Sequence, residues 1–253
     1  MTFHEYGQEN EKIVILFHPS GTMWDYFEYV IPYLEKHCHL IIPALPGYDK
    51  EHPEENFSSI EQIADEVEAW LTNKGITTVD NIYGCSMGGS LVVRMLATSK
   101  LTIKSAVVDG GITPYQLPWI ITRFIAVKDW MLIWSGKLAG PRILEKAFAA
   151  DNYSKEDLQY IADVLAFMSN KTIWRTFESC NNYSMPKTIP EYKGRLEYWC
   201  ADKEINDRKW DIRYMKKHFS SVHFKKMKDL GHGGMAAIRP EEFAKCIRKL
   251  IGA

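Results

Sequence analysis

The stretch Gly84-Cys85-Ser86-Met87-Gly88 decides the fold, because of what lies on either side of it. A run rich in β-branched and aromatic residues, 77–83, precedes it, and the segment 89–97 that follows has the composition of a helix. The pentapeptide matches G-x-S-x-G, and its place between a strand and a helix is that of a nucleophile elbow. In such a turn the glycines let strand and helix approach closely, and the serine hydroxyl projects above the sheet.

Strands and helices are predicted to alternate on both sides of this turn. A continuous apolar run predicts a strand at 12–17, and segments of strand-like composition predict further strands at 40–45, 103–108, 196–200 and 222–227. Apolar residues at helical spacing predict helices at 24–36, 60–71, 210–219 and 240–251. Strands that are apolar throughout are typical of a sheet buried on both faces. The pattern therefore predicts an α/β fold with a mostly parallel central sheet and helices on both faces.

Local signals predict where several helices begin and end. Ser58-Ser59-Ile60-Glu61 has the form of a capping box, and Gly75 is expected to end the helix that the box starts. Pro240 is expected at the start of the last helix. Within 151–157, Ser154 carries a further cap signal.

The alternation stops between 112 and 186, where only helical periodicity is visible. This interruption is far longer than an ordinary connection between elements. We therefore expect two parts: a core formed by 1–111 and 187–253, and a helical cap formed by 112–186.

Composition narrows the class of protein. The chain has 253 residues, 46% of them hydrophobic and 25% charged, which is ordinary for a globular protein. A net charge of −1 gives no reason to expect nucleic acid or an anionic membrane as a partner, and no apolar run predicts a membrane span. The five cysteines, without a C-x-x-C pair, and an N-terminus unlike a signal peptide favour reduced thiols and a cytoplasmic location.

A serine nucleophile needs a base, and His232 is the best candidate. It lies in the loop 229–234, after the predicted strand 222–227 and before the closing helix. Glycines on both sides of His232 favour an imidazole at a loop tip instead of one in a core. The other histidines lie in strand, helix or polar loop contexts, where solvated or capping roles are expected.

An acid is also needed, to hold the imidazole in the correct tautomer. The predicted strand 196–200 runs into a loop that carries Asp202 and Glu204, two residues apart. Asp109, at the end of the strand before the helical insertion, is a third option. Composition and spacing alone do not separate these carboxylates.

With these residues in place, nearly the whole chain resembles an α/β-hydrolase-fold protein with an inserted cap. In that family the acid commonly ends a strand–Gly-x-x-Asp loop. Matched to that loop, Ala201-Asp202-Lys203-Glu204 has alanine in place of the glycine and glutamate in place of the aspartate. The resemblance therefore implies Glu204 as the acid, ahead of Asp202 and Asp109.

The same resemblance implies an oxyanion hole and a substrate pocket. One amide donor would be Met87, directly after the nucleophile. The other would be Ser20, because His18-Pro19-Ser20-Gly21 falls on the family's His-Gly-x-Gly loop. In the family a cap roofs the pocket, so its aromatic side chains are candidates to line it: Trp119, Trp130, Trp134 and Trp174.

These residues predict a serine hydrolase that cleaves a carboxylic ester or related acyl bond of a small, apolar substrate through Ser86. Hydrolysis of carbon–carbon bonds and acyl transfer use the same residues and stay open. Serine at 86 argues against halide and epoxide chemistry, for which this fold uses aspartate. The alternatives from other classes are a ligand receptor on the same fold and a structural interaction protein. No metal ligand spacing and no phosphate-binding loop is present, so no cofactor is predicted.

Overall fold

A computed structural model describes residues 1–115, 117–141, 144–145 and 154–253. Its main strands are β1 (Thr2–Tyr6), β2 (Ile13–Phe17), β3 (His39–Ala44), β5 (Asn81–Cys85), β7 (Ser105–Asp109), β8 (Arg195–Ala201) and β9 (Val222–Met227). They form one seven-stranded sheet in the order β1-β3-β2-β5-β7-β8-β9. Only β1 pairs antiparallel to its neighbour, and all other pairs are parallel. The predicted mostly parallel sheet is confirmed.

The described residues form nine α-helices, and several of them cover the two faces of this sheet. They are α1 (Ile31–Leu34), α2 (Ile60–Asn73), α3 (Met87–Thr98), α4 (Trp119–Ala139), α5 (Lys155–Phe167), α6 (Asn170–Cys180), α7 (Lys209–His218), α8 (Gly234–Ile238) and α9 (Pro240–Ile251). Apolar side chains of α2 and α3 pack in one buried cluster, and those of α1 and α9 pack in another with the opposite side of the sheet. The sheet is therefore buried on both faces, as its continuous apolar strands require.

The register brings the ends of the central strands to one edge. Phe17 at the end of β2 pairs with Gly84, and Cys85 at the end of β5 pairs with Asp109. Asp109 in turn pairs with Trp199 in β8. Since parallel strands end side by side, the segments that follow them share one edge: the loop at 18, the turn at Ser86, and the loop at 202.

The strands differ from the prediction in two places. β1 is not predicted by the sequence, and it pairs along its whole length with β3. The predicted strand 77–83 is divided into β4 (Thr78–Val79) and β5, and a short parallel pair joins β4 to β6 (Thr102–Ile103). The division falls at Asp80, whose buried carboxylate accepts a hydrogen bond from the Ile13 amide at 3.0 Å and contacts Lys104 at 2.9 Å. These side-chain contacts of Asp80 interrupt the strand between β4 and β5.

Two helix predictions also differ from the structure. The expected helix 24–36 is a 3₁₀ turn, Trp24–Phe27, followed by the single α-helical turn α1. The capping box at 58–61 is displaced by one residue, because Ser59 is the N-cap and its hydroxyl accepts the Gln62 amide hydrogen. Gly75, at φ +76°, follows the end of α2 as predicted.

Between β7 and β8 the described residues form α4, α5 and α6, in agreement with the predicted helical insertion. Ser154 caps α5 through a reciprocal pair of hydrogen bonds with Asp157, which confirms that signal. The residues 151–153 of the same predicted segment lie outside the described residues. Of the helices described, none has both the length and the apolar character that crossing a bilayer requires.

The crossing of α3 over β2 generates a stability prediction. A Cβ added at Gly88 would lie 2.4 Å from the carbonyl oxygen of Phe17, so Gly88→Ala must displace backbone. We expect it to lower the free energy of unfolding by about 3 kcal/mol or more in urea denaturation. Gly75→Ala is the matched control: within the described part of the chain, no atom beyond its sequence neighbours lies within 4 Å of the added Cβ, and only the positive φ is strained. The control should lose about 1–2 kcal/mol, and equal losses for the two variants would contradict this account.

Candidate active site

Ser86 lies in the tight turn between β5 and α3. Its backbone has φ 53° and ψ −114°, a conformation that residues with a side chain rarely adopt. Its amide donates a hydrogen bond to the carbonyl oxygen of Asp109 at 2.9 Å, and its own carbonyl accepts the Ser90 amide hydrogen at 3.1 Å. The strained turn is therefore fixed by backbone bonds on both sides, which is the geometry predicted for an elbow.

Close packing of the backbone around Ser86 leaves no room for side chains at the neighbouring glycines. A Cβ at Gly84 would lie 2.1 Å from the Gly88 carbonyl oxygen, and a Cβ at Gly89 would lie 2.4 Å from Cα of Gly111. Strand, turn and helix thus approach more closely than any side chain permits. This explains why the motif carries glycine at both ends and a further glycine at position 89.

His232 and the buried Glu204 form a hydrogen-bonded pair. The His232 Nδ1 lies 2.6 Å from Glu204 Oε2, and the other carboxylate oxygen accepts the Ala201 amide hydrogen at 3.1 Å. Glu204 is 5% exposed, and the histidine follows β9 at the loop predicted for it. Because Nδ1 is bound to the carboxylate, Nε2 is the ring nitrogen that carries the acceptor lone pair of the neutral imidazole.

Each partner shifts the pKa of the other. Burial lowers the pKa of His232, but the charge of Glu204 and the hydrogen bond to it more than offset this, so that the pKa lies above its usual value. Burial raises the pKa of Glu204, yet His232 and then Arg208 bring it below its usual value. The glutamate is thus an anion at neutral pH, and the histidine is a base of increased proton affinity.

The other two candidate acids have different partners. Asp202 accepts the backbone amide hydrogen of Asp229 at 3.2 Å, which ties together the two loops that carry Glu204 and His232. Asp109 is buried beneath the turn and accepts the hydroxyl hydrogen of Tyr83 at 2.7 Å. Burial raises the pKa of Asp109 to about 7, and the charge of Glu204 acts in the same direction. Of the three candidates, Glu204 is the one hydrogen-bonded to His232.

The two predicted amide donors border the same place. Met87 is the first residue of α3, where helix N–H groups have no acceptor within the helix. Ser20 lines the cavity beside Ser86. The loop of Ser20 is shaped by the buried His18, whose Nδ1 lies 2.9 Å from the Pro19 carbonyl oxygen and whose Nε2 accepts the Leu45 amide hydrogen at 3.2 Å. Burial lowers the pKa of His18 to about 4, so this ring is neutral and structural.

A cavity of about 340 Å³ opens over the strand ends. Ser20, Ser86 and His232 lie at its base. Its opposite wall is apolar and comes from the inserted helices: Ile133, Ile161, Leu165, Met168, Ile173 and Phe177. Tyr160 of α5 closes one side, because its hydroxyl accepts the Met23 amide hydrogen at 2.9 Å and also bonds Asp25. This size and lining are typical of a site for a small, largely apolar molecule.

The tryptophans predicted to line the pocket need correction. Among the described residues that line this cavity, none is Trp119, Trp130, Trp134 or Trp174. Trp119 is 69% exposed, with the Arg123 guanidinium 5.1 Å from its ring centre. The other three pack together, with ring centres 5.7 Å apart for Trp130–Trp134 and 6.4 Å apart for Trp130–Trp174. Asp129 and Ile133, one turn apart on α4, face the cavity instead.

Two residues at the site were not predicted. Gly110, at φ +53°, brings the backbone after β7 against the His232–Glu204 pair: a Cβ there would lie 2.8 Å from His232 Nδ1 and 2.9 Å from Glu204 Oε1. Arg208 lines the cavity and lies 3.5 Å from Glu204 Oε2 through its Nε. Arg208 stands four residues after Glu204 in the sequence, a spacing that could have indicated this ion pair.

Asp109 yields a prediction on pH and stability. Its folded-state pKa of about 7 lies above the ordinary 3.8, so the stability contributed by its proton is complete below about pH 4 and is lost as pH rises toward 7. Asp109→Asn removes that titration. In urea denaturation, the unfolding free energy of the variant relative to wild type should therefore rise between pH 4 and pH 8, by up to about 4 kcal/mol. If the difference in unfolding free energy between variant and wild type were constant over this pH range, the raised pKa assigned to the buried Asp109 would be wrong.

Solved structures share this fold over nearly their whole length. An α/β hydrolase family protein from Desulfitobacterium hafniense superposes with a TM-score of 0.79 at 20% identity, covering 99% of this chain and 100% of that one. An enol-lactonase from Burkholderia xenovorans LB400 gives 0.73 at 15% identity, covering 100% and 96%. A thermophilic esterase from Thermogutta terrifontis gives 0.76 at 14% identity, covering 99% and 92%. At these identities the likeness shows the fold alone.

Sequence comparison gives the family. No curated protein matches the chain. The family model described as "Alpha/beta hydrolase family" matches residues 14–245, from within β2 to the middle of α9, and therefore includes every residue discussed at the site. With the fold of the sheet, the Ser86 turn and this match together, the chain belongs to the α/β hydrolase family.

Proposed function

We propose that this protein is a serine hydrolase that cleaves a carboxylic ester or a related acyl bond through an acyl-enzyme on Ser86. One observation carries the proposal: Ser86 and His232 line the same cavity, and His232 Nδ1 is bound to the buried Glu204 at 2.6 Å. That arrangement supplies a nucleophile, a base and an orienting acid in the chain order serine, acid, histidine.

In the first half of the proposed reaction, Ser86 Oγ attacks the acyl carbonyl while His232 Nε2 takes its proton. Glu204 stays ionised and stabilises the imidazolium that forms, which agrees with its lowered pKa. The amides of Ser20 and Met87 are the proposed donors to the oxyanion. Losing one such donor typically reduces kcat by about 10²–10³. His232 then protonates the leaving group, and the acyl group remains on Ser86.

In the second half, water replaces the leaving group. His232 removes a proton from the water as it attacks the acyl-enzyme, and the same amides stabilise the second tetrahedral intermediate. Collapse releases the carboxylic acid, and the proton returns from His232 to Ser86 Oγ. Each proton taken by His232 is given back, so the protein ends the cycle unchanged.

The cavity supports a small substrate with an apolar acyl or alcohol part. Most of the wall formed by the inserted helices is aliphatic or aromatic, although Asp129 and Asp157 also line the cavity. We accordingly propose residues 112–186 as the cap that forms the roof and residues 1–111 and 187–253 as the core that carries the reaction. Two structural neighbours, an enol-lactonase and an esterase, are compatible with acyl chemistry on this fold.

A fluorophosphonate probe tests the nucleophile. We expect it to label Ser86 in the wild type, as shown by peptide mapping, because the probe reacts with an activated serine and mimics the tetrahedral intermediate. Ser86→Ala and His232→Ala should abolish labelling and reduce ester hydrolysis on the order of 10⁴-fold. Ser99→Ala, at the other end of α3, is the matched control and should label normally. A folded wild type that is not labelled would favour a ligand receptor and reject the hydrolase.

Replacing the acid tests the role of Glu204. Glu204→Gln should reduce kcat about 10²–10⁴-fold, because an amide neither selects the tautomer nor stabilises the imidazolium. Asp202→Asn is the matched control, since its carboxylate contacts a backbone amide and not the imidazole. If Asp202→Asn proved the more damaging of the two, the assignment of the acid would be wrong.

The pH dependence of kcat/KM tests the pair independently. His232 must be neutral to act as a base, so the rate should fall as pH falls through its pKa, with a midpoint above 6.5. Glu204→Gln removes the charge that raises this pKa, so the residual activity should have its midpoint at a lower pH. A midpoint that does not respond to Glu204→Gln would contradict the coupling of the two residues.

A further inference from the structure

Arg208 stands out among the residues that line the cavity because its guanidinium contacts two carboxylates. Its Nε lies 3.5 Å from Glu204 Oε2, and its Nη1 lies 3.3 Å from Asp211 Oδ2. The side chain is 22% exposed, and that exposed part faces the cavity shared with Ser86 and His232. A guanidinium is a planar fork that can hold two carboxylates in a fixed relative position.

Asp211, the second partner, is fixed from the other side. It is 5% exposed, and its Oδ1 accepts hydrogen bonds from the Thr113 amide at 2.7 Å and the Thr113 hydroxyl at 2.8 Å. Thr113 lies where the chain leaves β7 for the inserted helices. Asp211 therefore anchors Arg208 to this connection, and Arg208 cannot swing away from Glu204 without leaving a buried carboxylate unpaired.

We infer that Arg208 is a positioning residue for the proposed reaction: held by Asp211, it fixes the Glu204 carboxylate against His232 and places a positive charge beside that carboxylate. The inference rests on the proposed function, because it assigns Arg208 a role in tuning the proposed base. It goes beyond that function in naming a fourth side chain and the direction in which it acts.

Charges around the pair set that direction. Glu204 and Asp109 are the acidic groups that act on His232, and Arg208 is the cation that acts against them. Around Arg208 the titratable neighbours are Asp211, Tyr198, Glu204 and Tyr115. Removing the guanidinium charge leaves the acids unopposed, so the pKa of His232 should rise further. A base with a higher pKa is protonated over more of the pH range and is inactive there.

Direct binding of a substrate carboxylate is the competing role for Arg208. Two carboxylates already neutralise the guanidinium, and Asp129 and Asp157 add further negative charge to the cavity lining. An anionic substrate would therefore meet a site whose described acidic groups outnumber its arginine. The charge balance favours action through Glu204 over capture of an anion.

The test compares Arg208→Gln and Arg208→Lys with wild type in two assays. NMR titration of His232 should show a higher pKa in Arg208→Gln than in wild type, whether or not the protein hydrolyses the chosen ester. With neutral p-nitrophenyl esters, Arg208→Gln should lower kcat about tenfold with little change in KM, and the acid midpoint of kcat/KM should move to higher pH. Arg208→Lys should keep the midpoint near wild type, because it retains the charge, but it should recover kcat only in part, because ammonium lacks the fork.

The matched control is Arg195→Gln, which removes an arginine–carboxylate pair at the start of β8, with a distance of 2.7 Å to Glu197 and a half-exposed guanidinium. It should change neither midpoint nor KM. An unmoved His232 pKa in Arg208→Gln would overturn the inference, as would a rise in KM confined to anionic esters. If the Gln variant does not fold, Arg208→Lys decides: wild-type kcat there rejects a positioning role. Absent labelling of Ser86 in wild type is a separate result and would reject the proposed function itself.

Discussion

The structure depends first on the close approach of three backbones around Ser86. The end of β2, the turn after β5 and the first turn of α3 come within distances that exclude a Cβ at Gly84 and Gly88. This crowding helps to hold Ser86 at φ 53°, a conformation that typically costs a non-glycine residue about 1–3 kcal/mol. Hydrogen bonds to Asp109 and from Ser90 fix the strained residue. The same crowding directs the serine side chain away from the sheet, toward the cavity.

A second constraint is a row of four side chains beside that cavity, in which basic and acidic groups alternate. His232, Glu204, Arg208 and Asp211 follow one another in contact, and the sequence of contacts ends on the backbone of Thr113. Buried charges are stable only when they are paired and hydrogen-bonded. Each member is therefore paired with the next, and the surroundings of the imidazole include Glu204, Arg208 and Asp211. Gly110 completes the arrangement, since it lets the backbone lie against His232 and Glu204.

Local patterns in the sequence were enough to predict the sheet, the turn at Ser86 and the loop of His232. Strand runs such as 222–227 and the motif at 84–88 are read from neighbouring residues, and their structure is decided locally. The antiparallel pairing of β1 was not predictable in this way, because long-range pairing with β3 decides it. For the same reason the cavity wall was misassigned: which side of α4 faces inward is set by packing against α6, and that places Trp130 against Trp174.

The central claim is that Ser86 carries the acyl group during turnover. Rapid quenching of the wild-type protein with a p-nitrophenyl ester, followed by mass spectrometry of its peptides, tests this most directly. The account predicts an acyl adduct on the peptide that contains Ser86, formed with the burst of p-nitrophenol and lost as water reacts. Hydrolysis that proceeds without any adduct, or with the adduct on another residue, would contradict it.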